Sequence, residues 1–284
     1  MAASTLSLTR HAREHGYAVP AVNVLDDLSL RAVVAAAVAA RSPMIIQISV
    51  KTVRSIGTEL TTTIFRLATQ DAPVPVALHL DHCPDRSVIS DVVAAGWSSV
   101  LFDASDRDLE TAERETAEVV AEAHAAGVDV ESEIENIVGV EDGVGSDFAR
   151  HSYSVEQLAA IAERTGADLL APQLGTAHGE YRAQPVLLPG RVRELAALTD
   201  RPIVLHGGTG LSAADFQAFI DAGVSKINIS TAVKTSYMRS AERHLAEARA
   251  KDKWDPPSMF RDISTAVQAA VATHIDEFGS AGRA

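Results

Sequence analysis

Three histidines stand where strand-like runs give out: His82 just beyond VPVALHLD, His178 in LGTAHG just after the run 169–175, and His206 inside VLHGG at the end of 202–208. Taken singly, each is better explained by a hydrogen-bonded core or surface role. As a trio of neutral imidazoles that leaves a fourth position open, they make a catalytic zinc environment. His79 lies two residues before Asp81 and so shares its strand face. It is the alternative ligand if the register differs, with His82 preferred as the more distal. His11, His15, His124 and His151 fall in predicted helices or loops and read as ordinary polar residues.

Carboxylates gather at the same strand ends: Asp81, Asp103, Glu131 and Glu133. Glu131 and Glu133 point the same way at period two, and a closed interior tolerates such acids only when a metal or donors pair with them. Otherwise both face helices or water. Glu141 and Asp142 lie in a long polar segment, roughly 135–154, and read on their own as solvated. Segments that long inside a domain are usually functional or disordered. Two glycine- or serine-bearing strand ends, HGGTGLS at 206–212 and NISTA at 228–232, each run into a helix. Backbone N–H groups and helix dipoles there would hold a phosphate dianion without lysine. The stretch 208–213 also meets a loose dinucleotide fingerprint, but no acidic residue ends a following strand, so that reading is weak.

These residues need a frame that brings strand ends together. Eight apolar, β-rich runs recur, at 18–24, 44–49, 74–81, 98–104, 129–134, 169–175, 202–208 and 226–231. Helical stretches separate them, four ending at Gly96, Gly127, Gly166 and Gly223. Strand then helix, eight times, predicts an α/β chain folded as a (β/α)8 TIM barrel. An open doubly wound sheet would use the same alternation. A helix at about 232–249, the turn KDKWDPPSM and a helix at about 259–278 form a C-terminal helical extension, an arm over about 251–284 of one domain spanning 1–284.

Composition bounds the partners. The chain has 284 residues, 46% hydrophobic and 22% charged, enough for a sizeable core. Its 25 basic against 38 acidic residues give −13, which disfavours nucleic acid and requires any phosphate site to be local. The lone Cys83 excludes an internal disulfide framework and fits a reducing cytoplasm. The start MAASTLSLTRHAREHGYAVP lacks a basic then apolar signal pattern, and no run of about 18 apolar residues occurs. The expectation is a cytoplasmic protein without membrane partners.

LHLDHC, ESEIENIVGVEDG, LGTAHGEY, IVLHGGTGLS and INISTA resemble, in order and spacing, the motifs of class II fructose- and tagatose-bisphosphate aldolases, and the likeness runs from YAVPAVNV to FGSAGRA. The resemblance implies that His82, His178 and His206 bind Zn2+, that Asp81 is the acid/base on the C4 hydroxyl, and that Asp103 and Glu133 serve a second, inner metal position or orient the histidines. Glu141 matches the proton carrier at the ketose carbon. Gly179, Gly207, Thr209, Ser230 and Thr231 match positions holding the dihydroxyacetone-phosphate end, and Asn228 its hydroxyls and enediolate. Asn23 and Ser49, near the ends of the first two strands, and Gly208 complete the substrate-binding candidates. Arg182 replaces a basic residue, often lysine, after the HGxY element. Arg261 is the candidate that reaches a neighbouring subunit's distal phosphate.

The resemblance further implies a monovalent cation (Na+ or K+), a phosphorylated sugar substrate, a homodimer or homotetramer, and a place in carbohydrate metabolism such as glycolysis. This chain departs from the family after Glu133, with Ile134-Glu135 where many members read Leu-Gly, and Val138-Gly139-Val140 where they carry Gly-Gly. A Schiff-base aldolase would need a lysine inside the barrel, and none of Lys51, Lys226, Lys234, Lys251 and Lys253 reads convincingly as one at a catalytic strand end. Two other readings compete. A metal-dependent hydrolase on the same barrel usually wants an early His-x-His, which PAVNV lacks. A non-catalytic sugar-phosphate-binding subunit would be expected to have lost ligands, and this chain keeps all three histidines and Asp81.

Overall fold

Parallel strands joined by crossover helices must be covered on both faces, and their residues here are buried almost without exception. The computed structural model describes residues 2–141, 144–146, 151–179 and 185–284. Its strands are β1 (Val19–Asn23), β2 (Met44–Ser49), β3 (Val76–Cys83), β4 (Ser99–Asp103), β5 (Asp129–Glu133), β6 (Gly139–Glu141), β7 (Val144–Ser146), β8 (Leu169–Leu170), β9 (Ile203–Leu205) and β10 (Val224–Ile229). Its helices are α1 (Thr5–Glu14), α2 (Asp27–Ala40), α3 (Val50–Ile56), α4 (Thr58–Thr69), α5 (Arg86–Ala94), α6 (Leu109–Ala125), α7 (Val155–Thr165), α8 (Pro189–Leu198), α9 (Ala213–Ala222), α10 (Thr231–Lys251) and α11 (Pro256–Glu277). The parallel strands close into a barrel in the order β1-β10-β9-β8-β5-β4-β3-β2, while β6 and β7 pair antiparallel beside it.

Local chemistry sets the joints. Asp26, Asp85, Asp108, Ser154, Ser212 and Asp255 each precede a helix and accept a hydrogen bond from a first-turn N–H, satisfying a donor the helix leaves over. Ser49 ends β2 and caps α3, accepting from Thr52 N at 3.3 Å. The main core lies between barrel and helices, with Phe102, Trp97, Phe216, Phe219 and Phe278 fully or nearly fully buried. Inside the barrel a small apolar floor of Val19, Ala21, Ile45 and Ala77 meets α1, whose Thr5 Oγ1 lies 2.6 Å from Ser99 Oγ. Above that floor, period two turns Asn23, Gln47, His79, Glu131 and Lys226 inward.

Several predicted boundaries move. The sixth barrel run, expected to reach 175, pairs only over Leu169–Leu170. Pro172 offers the ladder no N–H, and the N–H of Gln173 goes to Glu135 Oε2 instead. The run expected at 202–208 is a strand only at Ile203–Leu205, because Gly207 turns at φ +69°. The third run continues past Asp81 to Cys83. The polar segment after β5 holds the antiparallel pair β6–β7, which the sequence pattern does not mark.

The α9 cap is reciprocal, Ser212 Oγ accepting from Asp215 N and Asp215 Oδ2 from Ser212 N. Ser212→Ala should therefore lower stability by about 1 kcal/mol. Urea unfolding checks it, and an unchanged midpoint would mean that the cap contributes nothing.

Candidate active site

The end of β3 is bent to serve two side chains at once. Between Leu80 and Cys83 the pairing with β4 gains one residue, and His82 adopts the left-handed conformation at φ 43°. Strict alternation would send Asp81 inward and His82 outward. The bulge re-aims His82, so both residues face the barrel mouth, at a backbone cost of roughly 1–3 kcal/mol that the surrounding contacts must offset.

The rings of His82, His178 and His206 converge, with centroids 4.9 Å apart for His82–His178, 4.7 Å for His82–His206 and 6.1 Å for His178–His206. One nitrogen from each lies within 4.8 Å of the others, and His82, Asp103 and Glu133 form a second set meeting the same limit. His82 Nδ1 is 3.3 Å from Asp103 Oδ2 and 3.6 Å from Glu133 Oε2, while its Nε2 is buried with no hydrogen-bond partner. His206 Nε2 is 2.8 Å from Glu131 Oε1, and its Nδ1 is likewise left without a hydrogen bond, 3.3 Å from Glu133 Oε2. An imidazole oriented by a carboxylate on one nitrogen and unpartnered on the other is how a ligating histidine is prepared. The residues therefore fit a divalent metal. His79 lies lower in the barrel, bound to Ser99 Oγ at 2.7 Å, and is not part of this cluster.

Asp81 stands beside the trio in a cradle of carboxamides. Its Oδ2 accepts from Asn23 Nδ2 at 2.8 Å and its Oδ1 from Asn228 Nδ2 at 3.4 Å. Each amide is itself oriented. Gln47 Nε2 donates to Asn23 Oδ1 at 2.9 Å, and Lys226 Nζ donates to Asn228 Oδ1 at 2.9 Å.

Lys226 corrects the expectation about lysines. It is fully buried inside the barrel, two residues before Asn228, with Nζ 2.7 Å from Glu131 Oε2. A lone lysine in an apolar strand does not reveal its partner in the sequence; the period-two relation to Asn228 is the available signal. An ammonium paired to a carboxylate has no lone pair with which to attack a carbonyl, so its position does not make it a Schiff-base lysine. Gln47 was also missed, although it lies two residues before Ser49 on the same face.

The charges decide the protonation pattern. Burial would push Glu131 up, but Lys226 and His206 outweigh it and hold the carboxyl well below its ordinary range. Burial and the Lys226 charge drive His79 well below the usual histidine value. Burial would depress His82, yet Asp81, Glu133 and Asp103 overcome it and raise the ring well above that value. His206 is raised too, as Glu131 and Glu133 outweigh burial. Asp103 is lowered, because His82 and Ser105 outweigh its burial.

Around the mouth, Gly207 packs where a Cβ would come 2.5 Å from Ala177 O, so the His206 and His178 segments touch through backbone. Gly208 is packed against the Phe216 ring, and Thr209 is half-buried beside it. Ser230, at the start of α10, is buried with its hydroxyl unpartnered, and Thr231 opens the helix. Gly179 follows His178 at φ +84°. Ser49 spends its hydroxyl on the α3 cap. Arg261 is exposed on α11. The side chain of Glu141 and all of Asp142 and Arg182 lie outside the described residues.

A barrel that gathers a histidine trio, carboxylates and helix-opening glycine and serine segments at the C-terminal ends of its strands is built as an enzyme. The family model described as fructose-bisphosphate aldolase class-II matches residues 3–283. The chain is 34% identical over 284 residues to the probable fructose-bisphosphate aldolase of Bacillus subtilis (strain 168), covering 99% of both proteins. It is 31% identical over 242 residues to the sulfofructosephosphate aldolase of Alkalicoccus urumqiensis, covering 85% of this chain and 84% of that one. The crystal structure of a putative fructose-1,6-biphosphate aldolase from Coccidioides immitis superposes with a TM-score of 0.90 at 29% identity, covering 98% and 97% of the two chains. This chain belongs to the class II fructose-bisphosphate aldolase family. It is an aldolase, a carbon–carbon lyase of a metal-dependent family. Among the described residues, no helix is long and apolar enough to cross a membrane.

With His82 and His206 as metal ligands, their raised values would give metal binding a pH dependence. In metal-free protein both rings must lose a proton before they ligate, and their values lie above the ordinary 6.5. Apparent metal affinity should thus fall steadily from about pH 8 to about pH 6. Chelator competition at each pH checks this, and a flat profile over the range would contradict it.

Proposed function

We propose that the protein reversibly cleaves the C3–C4 bond of a ketose 1,6-bisphosphate of fructose or tagatose type, giving dihydroxyacetone phosphate and an aldehyde such as glyceraldehyde 3-phosphate. The observation that carries the reading is the three-imidazole cluster, with His82 Nε2 and His206 Nδ1 buried and making no hydrogen bond, beside the amide-cradled Asp81. The metal is Zn2+, held by His82, His178 and His206, with Asp103 and Glu133 as orienting carboxylates or a second inner position. When bound there it supplies Lewis-acid polarisation of the ketose carbonyl.

Asp81 takes the proton of the C4 hydroxyl as the bond breaks. Asn23 and Asn228 leave it fixed as an acceptor at the mouth. Asn228 also reaches the substrate hydroxyls, and Ser49 and Asn23 border them. The phosphate of the three-carbon end sits among Gly179, Gly207, Gly208, Thr209, Ser230 and Thr231, which is supported by the unpartnered Ser230 hydroxyl at the α10 terminus. Glu141 carries the proton at C3, and Arg182 assists at the phosphate. Arg261 reaches the distal phosphate of a neighbouring subunit in a homo-oligomer, and the protein works in the cytoplasm.

A panel of aldehydes offered with dihydroxyacetone phosphate, read for product identity and stereochemistry, tests the substrate. Because one relative is named a sulfofructosephosphate aldolase, a sulfonated aldehyde belongs in it. Turnover of the sulfonated aldehyde alone would overturn the bisphosphate assignment.

Two acids are separable by rate. Asp81→Asn should cut cleavage by about two to four orders of magnitude while slowing solvent exchange of the C3 hydrogen of dihydroxyacetone phosphate far less. Glu141→Ala should do the reverse. Exchange abolished by the first substitution and untouched by the second would interchange the roles.

Borohydride added with substrate should leave activity intact, Lys226 being held by Glu131. A covalent adduct on Lys226 would overturn the metal-based mechanism.

A further inference from the structure

Two of the three clustered imidazoles are anchored by strands, His82 within β3 and His206 directly after β9. His178 is not. It lies eight residues beyond β8, whose ladder lasts for two, on the irregular segment 171–179. Something other than sheet must hold that segment if the ring is to meet its partners.

Glu135 is the fully buried carboxylate two residues past β5. Its Oε2 accepts from Gln173 N at 3.0 Å, and its Oε1 from Tyr153 N at 2.8 Å and Arg191 Nη2 at 2.8 Å. Arg191, on α8, returns to the same two residues, giving Nη1 to Gln173 O at 2.8 Å and Nη2 to Tyr153 O at 2.6 Å. The pair thus takes both the N–H and the C=O of Gln173 and of Tyr153. From Gln173 the fixing passes along the segment: its Oε1 accepts from Gly175 N at 2.8 Å, Ala177 bridges Val138, and His178 N donates to Val138 O at 2.8 Å. Gly139 allows the close approach, since a Cβ there would come 2.8 Å from His178 O. Segments 135–139 and 173–178 therefore run side by side, tied at one end by charge and at the other by backbone.

We propose that Glu135 and Arg191 are a positioning pair that fixes the backbone carrying His178, so that the spacing of the imidazole cluster is set by an ion pair outside it. Charge-assisted bonds suit the task because they are short and directional, and the guanidinium fork grips two carbonyls at once. The metal consequence rests on the trio being the metal site; the backbone consequence does not.

The test uses Glu135→Gln and Arg191→Lys, both near in shape, the second serving if the first fails to fold. In metal-free protein, hydrogen exchange at Gly175–His178 should speed up by about tenfold or more, with β1–β4 unchanged. Unchanged exchange at that segment overturns the proposal. Metal affinity, by chelator competition, should weaken by about 10- to 100-fold, the range for residues that orient ligands. In a His178→Ala background the same substitutions should change affinity by less than about twofold, since the effect travels through His178. An equal loss in both backgrounds overturns the proposal. Affinity that ignores His178→Ala sinks the metal reading instead, and the exchange rates still decide the positioning role.

Discussion

Charges inside a closed barrel must be paired, and the Lys226–Glu131 ion pair is where this chain meets that demand. Removing one partner of such a pair leaves the other uncompensated and costs about 3–5 kcal/mol. From this pair two lines of order rise toward the mouth. Glu131 reaches His206 and fixes which of its nitrogens faces the cluster, while Lys226 sets the amide of Asn228, which in turn addresses Asp81. The histidine side and the carboxylate side of the site are thus referred to one buried contact.

The frame and the trio could be read from the chain because they leave local marks. Strand–helix alternation, glycine stops and histidines at strand ends are features of neighbouring residues, and the structure brings His82, His178 and His206 together. What could not be read depends on register across the barrel. Glu131 and Lys226 lie 95 positions apart, and only closure makes them adjacent. The choice between His79 and His82 likewise turned on a single inserted residue at the end of β3. Glu135 begins a polar run in the sequence and yet is buried, and its partners on α8 and after β8 are too distant in sequence to be read there.

The site also shows where regular structure was set aside. His82 sits in a left-handed conformation that a bulge makes necessary, and β8 gives up its ladder after two residues so that the chain beyond it can turn toward the mouth. Both departures are at the C-terminal ends of strands, where function rather than packing selects the backbone. The opposite end is ordinary: an apolar floor, a helix across it and a Thr5–Ser99–His79 chain of hydroxyls and imidazole.

The brevity of β8 gives the barrel a seam. It meets β5 over two residue pairs and β9 over one, against six between β2 and β3. His82 and His206 lie on opposite sides of that seam, on β3 and just after β9. On the proposed reading, an ion held by both would be a clasp on the wall as well as a reagent: loading the site would fasten the cylinder where its own ladder is thinnest, and stripping it would leave the staves most easily parted there.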